Sequence, residues 1–417
     1  MASLPDANQG EFRLGMLFYD TRYRSLTIQV IFFMLFMAGA AWLVNNVIEN
    51  LRILGKDFDF GFLTVRAGYD INQRLVEYSN DSTHARAMLI GLLNTLLLAF
   101  LACITATIVG ILAGVLRLSK NWVVARLMTL YVETFRNVPL LLWILLVNAI
   151  MTESMPSPRD FRGADATASM MLNDSVAVTN RGIYVPEPLF TNSLGNIDIG
   201  IFLISIDLLA VLAAVYVGIY INRAVLRRAT RIQHETGVRP TTWWQSVLLI
   251  AGIPLVLLAL LGFHLGYPEM KGFNFSGGIH LRNSLLAMWI ALTLYTGAFI
   301  AEIVRAGILA ISRGQSEASF ALGMQPGRTM QLVVLPQALR VIIPPLISQY
   351  LNITKNTSLA LAVGYMDLRS TLGGTTINVT GRELEGMMLM MLVYLVISLI
   401  ISGAMNFYNT RVQLRSR

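Results

Sequence analysis

Apolar runs long enough to cross a bilayer recur along this chain, separated by polar stretches of very unequal length. They fall at about 26–47, 87–116, 122–150, 199–222, 243–266, 283–304, 338–362 and 386–407. Each is near or above the roughly 20 helical residues that a hydrocarbon layer of about 30 Å requires. Eight such runs predict an all-α polytopic membrane protein with both termini on the same side. The polar stretches 48–86 and 151–198 are the longest. The second contains SPRDFRGADATASMMLNDSVAVTN, which has no clear period and predicts either a small cap or ordered coil. The third run is the least regular, because Arg126, Glu133 and Arg136 interrupt it and Pro139 follows. Charge at mid-membrane is expensive. Either 122–136 is an interfacial amphipathic helix and PLLLWILLVNAIMTES makes the crossing, or Glu133 and Arg136 pair inside a bundle.

Composition agrees with the pattern. Of 417 residues, 55% are hydrophobic and only 13% charged, against about 25% charged in soluble domains. A secreted enzyme, a nucleic-acid binder and a disordered protein are excluded. The formal net charge of +8 changes meaning once it is placed on the eight spans. Arg13, Arg22, Arg24, Arg117 and Lys120 fall on the side of the termini. So do Arg223, Arg227, Arg228, Arg231, Arg239, Arg305, Arg313, Arg328, Arg340, Arg411, Arg415 and Arg417. Acidic residues concentrate in the other loops. This asymmetry orients both termini to the cytoplasmic side of the membrane, and the basic surplus needs no nucleic-acid partner.

Catalytic chemistry is not legible. Cys103 is the lone cysteine, and His84, His234, His264 and His280 are scattered, so neither a disulfide nor a metal site is predicted. No GxxxxGK[ST] occurs, and Gly55-Lys56 is followed by Asp57. The chain is expected to have no catalytic residues and to be no enzyme.

The most informative run is 302–359, EIVRAGILAISRGQSEASFALGMQPGRTMQLVVLPQALRVIIPPLISQYLNITKNTSL. It leaves the sixth span and re-enters the membrane in the seventh. Helix formers, a break at Gly323, Pro326 shortly after and the apolar MQLVVL predict helix, tight turn and second helix. Glu317, Ala318 and Phe320 to Leu322 would lie on a short surface helix. By periodicity alone this is either a helix awaiting a protein partner or an ordinary amphipathic interface helix.

The same residues resemble the cytoplasmic loop signature of ABC-importer membrane subunits, E-A-A, three residues, G, nine residues, I-x-L-P. Here it reads Glu317-Ala318-Ser319, then Gly323, then Val333-Val334-Leu335-Pro336. Ser319 replaces the second Ala and Val333 the Ile. EIVRAGI, RGQSEA, LPQALR, KNTSLA and YVETFRNVPLL resemble the polar-amino-acid branch. The extra first span, the long insert and the length are similar to the larger permease subunits of general L-amino-acid or glutamate/glutamine/aspartate/asparagine uptake systems.

That resemblance implies a type I importer permease bundle over 85–407, interrupted by an outer insert at 151–198. It leaves 1–25 and 408–417 as cytoplasmic segments and 26–84 as an added helix with a long periplasmic loop. It implies a cytoplasmic ABC ATPase homodimer, which binds ATP and Mg, a second and related permease, a periplasmic amino-acid-binding protein and an L-amino-acid substrate. This chain would hold no cofactor. Glu317, Ala318, Ser319, Leu322 and Gly323 would form the coupling helix and its stop. Arg328 would pair with an ATPase carboxylate, and Leu335 and Pro336 would shape the next helix. An ion-gradient-driven secondary transporter is the alternative, and would show inverted repeats with broken helices. A scaffold subunit that passes nothing is a third reading.

An amino acid crossing apolar surroundings needs polar groups in place of its hydration shell. Candidates in or near the spans are Asn94, Thr95, Asp207, Thr293, Tyr295, Glu302, Asn352, Lys355, Thr357 and Ser358. Lys355 would meet a substrate carboxylate, pair with Glu302 or meet lipid headgroups. Hydrogen bonding between helices is an equally good role for any one of the polar residues.

Overall fold

The structure is a computed structural model that describes residues 21–53, 58–163, 166–200 and 203–412. The chain divides into two units, one ending at Phe62 and the other beginning at Leu63. The first unit contains α1 (Thr21–Ile53), an apolar helix with most of its side chains exposed. Of the expected cytoplasmic segments 1–25 and 408–417, residues 1–20 and 413–417 lie outside the described residues.

The second unit opens with an irregular loop. Ala67, Ile71 and Tyr78 in it pack against Ala87 and Ile90 at the start of α2 (His84–Leu116). Next come α3 (Trp122–Asn137) and α4 (Leu140–Glu153). The break between them falls at Val138-Pro139, as PLLLWILLVNAIMTES predicts, and the span-length apolar window begins at Leu140. After the insert come α5 (Ile206–Thr236) and α6 (Trp243–Leu260), then α7 (Asn283–Leu309) and the short α8 (Arg313–Ala321). The long α9 (Leu335–Asn356) and α10 (Glu383–Val412) complete the helices used here. Eight helical segments of the described residues are long and apolar enough to cross a membrane.

Small residues let α2 and α7 lie together. Ala99, Ala102, Ala106, Gly110 and Gly114 recur every three or four residues and are all buried, which puts them on one face of α2. Ala87, Gly91 and Thr95 before them instead meet the preceding loop and residues 367–371. A Cβ on Gly110 would stand 2.5 Å from the Ile300 side chain and 3.0 Å from the Gly297 carbonyl. One on Gly114 would stand 2.7 Å from the Ala301 carbonyl. Close backbone approach of this kind replaces the hydrophobic drive that is absent between helices in lipid. Leu98, Leu140, Ile144, Leu285, Met288, Leu292, Ala338, Ile342 and Ile353 extend the core to α4 and α9.

Two of the helices carry a widened π turn just ahead of a proline. Leu248–Gly252 precedes Pro254 in α6, and Met330–Val334 precedes Pro336 in α9. Proline lacks the N–H for the i−4 carbonyl and crowds it, and a π turn is one way a helix absorbs that conflict.

The insert is not coil: with residues 203–205 and 263–282 it forms a cap of small antiparallel sheets. β1 (Ala177–Thr179), β2 (Gly182–Val185) and β9 (Ile279–Arg282) form a three-stranded sheet in the order β1-β2-β9. β3 (Glu187–Phe190) pairs with β6 (Phe263–Gly266), β4 (Asn196–Asp198) with β5 (Leu203–Ser205), and β7 (Glu269–Lys271) with β8 (Asn274–Ser276). Ala177, Tyr184 and Phe275 are its buried centre. Tyr184 stacks on His280 with ring centroids 4.2 Å apart and planes 2° from parallel. Two predicted spans are therefore shorter on this side. The run at 199–222 enters α5 only at Ile206, because FLISI is spent partly on β5 and Ser205 caps the helix by accepting from the Leu208 N–H at 3.3 Å. The run at 243–266 leaves α6 at Leu260, where Gly262 (φ +65°) turns the chain into β6.

Candidate functional site

The strongest sequence signal becomes a short exposed helix with a defined stop. In α8 the N–H of Gly323 donates to the Phe320 carbonyl at 2.9 Å, and the N–H of Met324 donates to the Ser319 carbonyl at 3.1 Å. This pair of bonds is a Schellman stop, which needs a left-handed residue after the helix. Gly323 supplies it with φ +74°.

One side of α8 is anchored and the other is free. Ser319 is buried, and its hydroxyl donates to the Gln315 carbonyl at 2.7 Å. That bond satisfies the hydroxyl that serine adds where the signature has alanine. Gln337 on α9 donates to the Val333 carbonyl at 3.0 Å and approaches Gln315 Oε1 at 3.4 Å. Glu317 and Ala318 are exposed, as are Phe320 at 49% and Leu322 at 82%. Arg328 is exposed in the turn Pro326–Thr329, and Leu335 and Pro336 form the first turn of α9. The surface thus joins apolar side chains to charged Glu317 and Arg328, with no carboxylate–cation pair for either among the described residues.

The polar residues separate into three groups. Asn94 and Thr95 are fully buried and bonded to the backbone, while Asn94 Oδ1 has no hydrogen-bond partner among the described residues. Asn94 Nδ2 donates to the carbonyls of Gln73 at 2.8 Å and Met366 at 2.9 Å. Thr95 Oγ1 donates to the Gly91 carbonyl at 3.0 Å and accepts from the Leu368 N–H at 3.0 Å. Both therefore tie α2 to the segment that follows α9. Asp207 is 3% exposed in the first turn of α5, where it accepts from Ser193 Oγ at 2.6 Å and the Leu194 N–H at 2.8 Å. Its place is the junction of cap and helix.

Glu302 belongs to a charge cluster. It pairs with Arg117 of α2, with Arg305 at 3.2 Å and with Arg136 of α3 at 3.8 Å. Arg117 also reaches Glu133 at 3.7 Å, and the Arg136 guanidinium lies 5.4 Å from the Phe299 ring centroid. Glu302 thus has arginine partners rather than Lys355. Glu133 and Arg136, placed by the sequence either at an interface or in a pair with each other, instead join α3 to α2 and α7.

The remaining residues lie on α7 and at or just past the end of α9. Thr293 and Thr105 share a hydrogen bond of 2.6 Å, with Trp289 Nε1 donating to Thr105 at 3.0 Å. Tyr295 is half-buried beside Phe299. Thr357 is buried and donates to the Thr354 carbonyl at 2.8 Å, and Ser358 to that of Lys355 at 2.7 Å. Asn352 and Lys355, three residues apart on α9, are exposed, and Lys355 has no carboxylate within salt-bridge reach among the described residues.

Sequence reasoning did not single out Asp367, which is fully buried. It accepts from the Ser370 N–H at 2.9 Å, Ser370 Oγ at 2.8 Å and Tyr394 OH at 3.2 Å. The signal was available as an Asp three residues ahead of a Ser, an N-cap pattern.

Residues 243–414 match the family described as binding-protein-dependent transport system inner membrane component. The matched stretch contains α6 to α10, α8 and its stop included. Over its whole length the chain is 58% identical to the glutamate/glutamine/aspartate/asparagine transport system permease protein BztB of Rhodobacter capsulatus, covering 100% of each. It is 41% identical to the general L-amino acid transport system permease protein AapQ of Rhizobium johnstonii, over 97% of this chain and 96% of that one. It is 39% identical to the putative amino-acid ABC transporter permease protein YhdX of Escherichia coli K12, over 96% and 97%. Members of this family are multi-pass inner-membrane subunits without a catalytic centre, and they work with a separate ATPase and a binding protein. Similarity that runs from end to end extends far beyond one shared loop motif, and the chain belongs to the binding-protein-dependent transport system inner membrane components, in the branch of amino-acid ABC transporter permeases.

Proposed function

We propose that this permease moves acidic and amide L-amino acids inward, as one of two related permease subunits above an ATPase homodimer that grips α8. The observation that carries the coupling role is the α8 stop, which holds Phe320 and Leu322 outward on a short, firmly terminated helix. Closure of the ATPase pair on ATP and Mg would displace α8 and, through Gln315 and Gln337, the first turns of α9. The acidic and amide class is carried by the name of the BztB relative, at 58% identity; that of AapQ, at 41%, carries only L-amino acids in general.

In this reading both termini are cytoplasmic, 85–407 apart from 151–198 is the permease domain, and 26–84 adds a crossing and an outer loop. Asn352 and Lys355 face the path, with Ser358 one turn on from Lys355, because they keep polar groups exposed on α9 whereas Asn94, Thr95 and Thr357 are buried. Lys355 would meet the substrate carboxylate. The periplasmic binding protein delivers substrate on the cap side.

The test is to purify the complex from native membranes, identify its subunits by mass and measure ATP hydrolysis with binding protein present. Glutamate, glutamine, aspartate and asparagine should stimulate hydrolysis, and branched-chain amino acids should not. Recovery of the intact chain with no ATPase attached would overturn the proposal.

A further inference from the structure

α5 and α6 meet closely at one level and then part. A Cβ on Gly218 would stand 2.4 Å from the Leu249 carbonyl, so the two backbones touch there. One turn further along α5, Asn222 is 7% exposed and its Oδ1 has no hydrogen-bond partner among the described residues. Beyond it, the α5 face carrying Val225, Arg228 and Ile232 is separated from Trp244 and Leu248 by a cleft of about 590 Å³. The lining changes character along its length. Ile221, Val225, Leu248 and Leu249, near the contact, are apolar, whereas the polar Arg228, Thr241, Thr242 and Gln245 all lie further from it, among Ile232 and Trp244.

Helix lengths put that change at a membrane surface. α5 has 31 residues, about 46 Å at 1.5 Å per residue, against about 30 Å of hydrocarbon. Its far end must project beyond the acyl chains, and its charged side chains begin there at Arg223. Trp243 and Trp244, at the start of α6, are 72% and 50% exposed, as interfacial tryptophans are. The stretch 222–242 holds five arginines against one glutamate. Glu235 pairs with Arg231 at 3.0 Å, and no carboxylate lies within salt-bridge reach of Arg223, Arg227, Arg228 or Arg239 among the described residues.

We infer that the α5–α6 cleft is a binding site for an anionic phospholipid of the leaflet around the α5–α6 turn. The phosphate lies beside Arg228 and the Thr241 and Thr242 side chains, and one acyl chain follows Val225 and Leu248 toward the contact. The occupant is fixed by the joint polarity of the site. A free anion has no use for the apolar half, and a neutral lipid has none for the excess of arginine charge.

The experiment uses the full chain in its purified complex. It is incubated with an equal mixture of phosphatidylglycerol and phosphatidylcholine of matched acyl chains, and retained lipid is counted by native mass spectrometry. Phosphatidylglycerol should be retained about five-fold over phosphatidylcholine. Arg228→Gln should abolish the preference, whereas Arg231→Gln, whose charge is already paired, should keep it. Val225→Trp, which fills the cleft without changing charge, should reduce retention and carries the test if Arg228→Gln fails to assemble. Equal retention of the two lipids, an unchanged preference in Arg228→Gln, or undiminished retention in Val225→Trp overturns the inference. Release of the lipid by excess inorganic phosphate also overturns it, since the site would then be one for a free anion.

Discussion

Arg117 at the end of α2 is ion-paired to Glu302 on α7, with the guanidinium side chain 8% exposed and the carboxylate side chain 30%. Glu302 is the shared acceptor of three arginines. Removing its charge leaves Arg117 buried with only the longer contact to Glu133. Glu302→Gln should destabilise the bundle by about 2–3 kcal/mol, short of the ~3–5 kcal/mol of a fully buried pair because water reaches the carboxylate. Thermal denaturation in detergent, followed by size exclusion, measures this. The double variant Arg117→Met/Glu302→Met should recover part of the loss; a double variant as unstable as Glu302→Gln would rule out the pair as its source.

Gly323 is the residue on which the α8 stop depends. A β-branched side chain at φ +74° costs roughly 1–2 kcal/mol in the left-handed region, while asparagine tolerates it. Gly323→Val should insert normally yet lose about ten-fold in substrate-stimulated ATP hydrolysis, and Gly323→Asn should stay within about two-fold of the parent. Equal activity in the two would detach coupling from the backbone conformation.

The α2–α7 seam should reject even a methyl group. Gly110→Ala places a Cβ 2.5 Å from Ile300, and overpacking of this kind costs about 1–3 kcal/mol. The variant should melt earlier than the parent. Adding Ile300→Val, which trims the opposing side chain, should restore part of the difference.

The cap should loosen in acid. Burial holds the His280 imidazole below its usual range, the bond to the Arg181 carbonyl (3.1 Å) opposes that shift, and the Arg282 charge adds to it. The unfolded state therefore binds more protons as the pH falls below about 6.5, and stability that is constant above that pH declines through the lower folded value. Hydrogen exchange at β2 and β9, corrected for its intrinsic pH dependence, should be faster relative to the bundle at pH ~5.5 than at ~7.5. His280→Phe, which keeps a ring against Tyr184, should flatten the difference.

Lys355 is an exposed cation on α9, and its proposed role is recognition of a carboxylate. Lys355→Gln should lower uptake kcat/KM about ten-fold or more, roughly 1.4 kcal/mol, without changing the recovery of ATPase with the chain. Unchanged uptake would remove Lys355 from the path.

The spans were legible because a long apolar run has few outcomes in lipid: its backbone must bond to itself, and a helix does so locally. The α8 stop was legible for the same reason, since the bonds from Gly323 and Met324 reach back only three and five residues. The cap was not. Its strands are three or four residues long and pair across as many as a hundred positions, as in Gly182 with Arg282, so their register depends on partners that no local pattern names. The polar residues were half legible. A buried Asn94 stands out in an apolar run, but that its amide serves Gln73 and Met366 depends on how two distant segments meet.

The seam of small residues on α2 has a consequence for how this sequence can vary. From glycine every substitution adds volume, and from alanine nearly every one does. At Gly110 and Gly114 even the first added carbon collides with a neighbouring helix. Mutation along this line is therefore one-directional: almost any random change pushes the two helices apart, and none of comparable size can draw them together again. The exposed side of the same helix, which carries Phe100, Ile108 and Leu112, meets no neighbour among the described residues that would oppose the exchange of one apolar residue for another. A single helix thus carries two very different tolerances to change, set only by which way each side chain points.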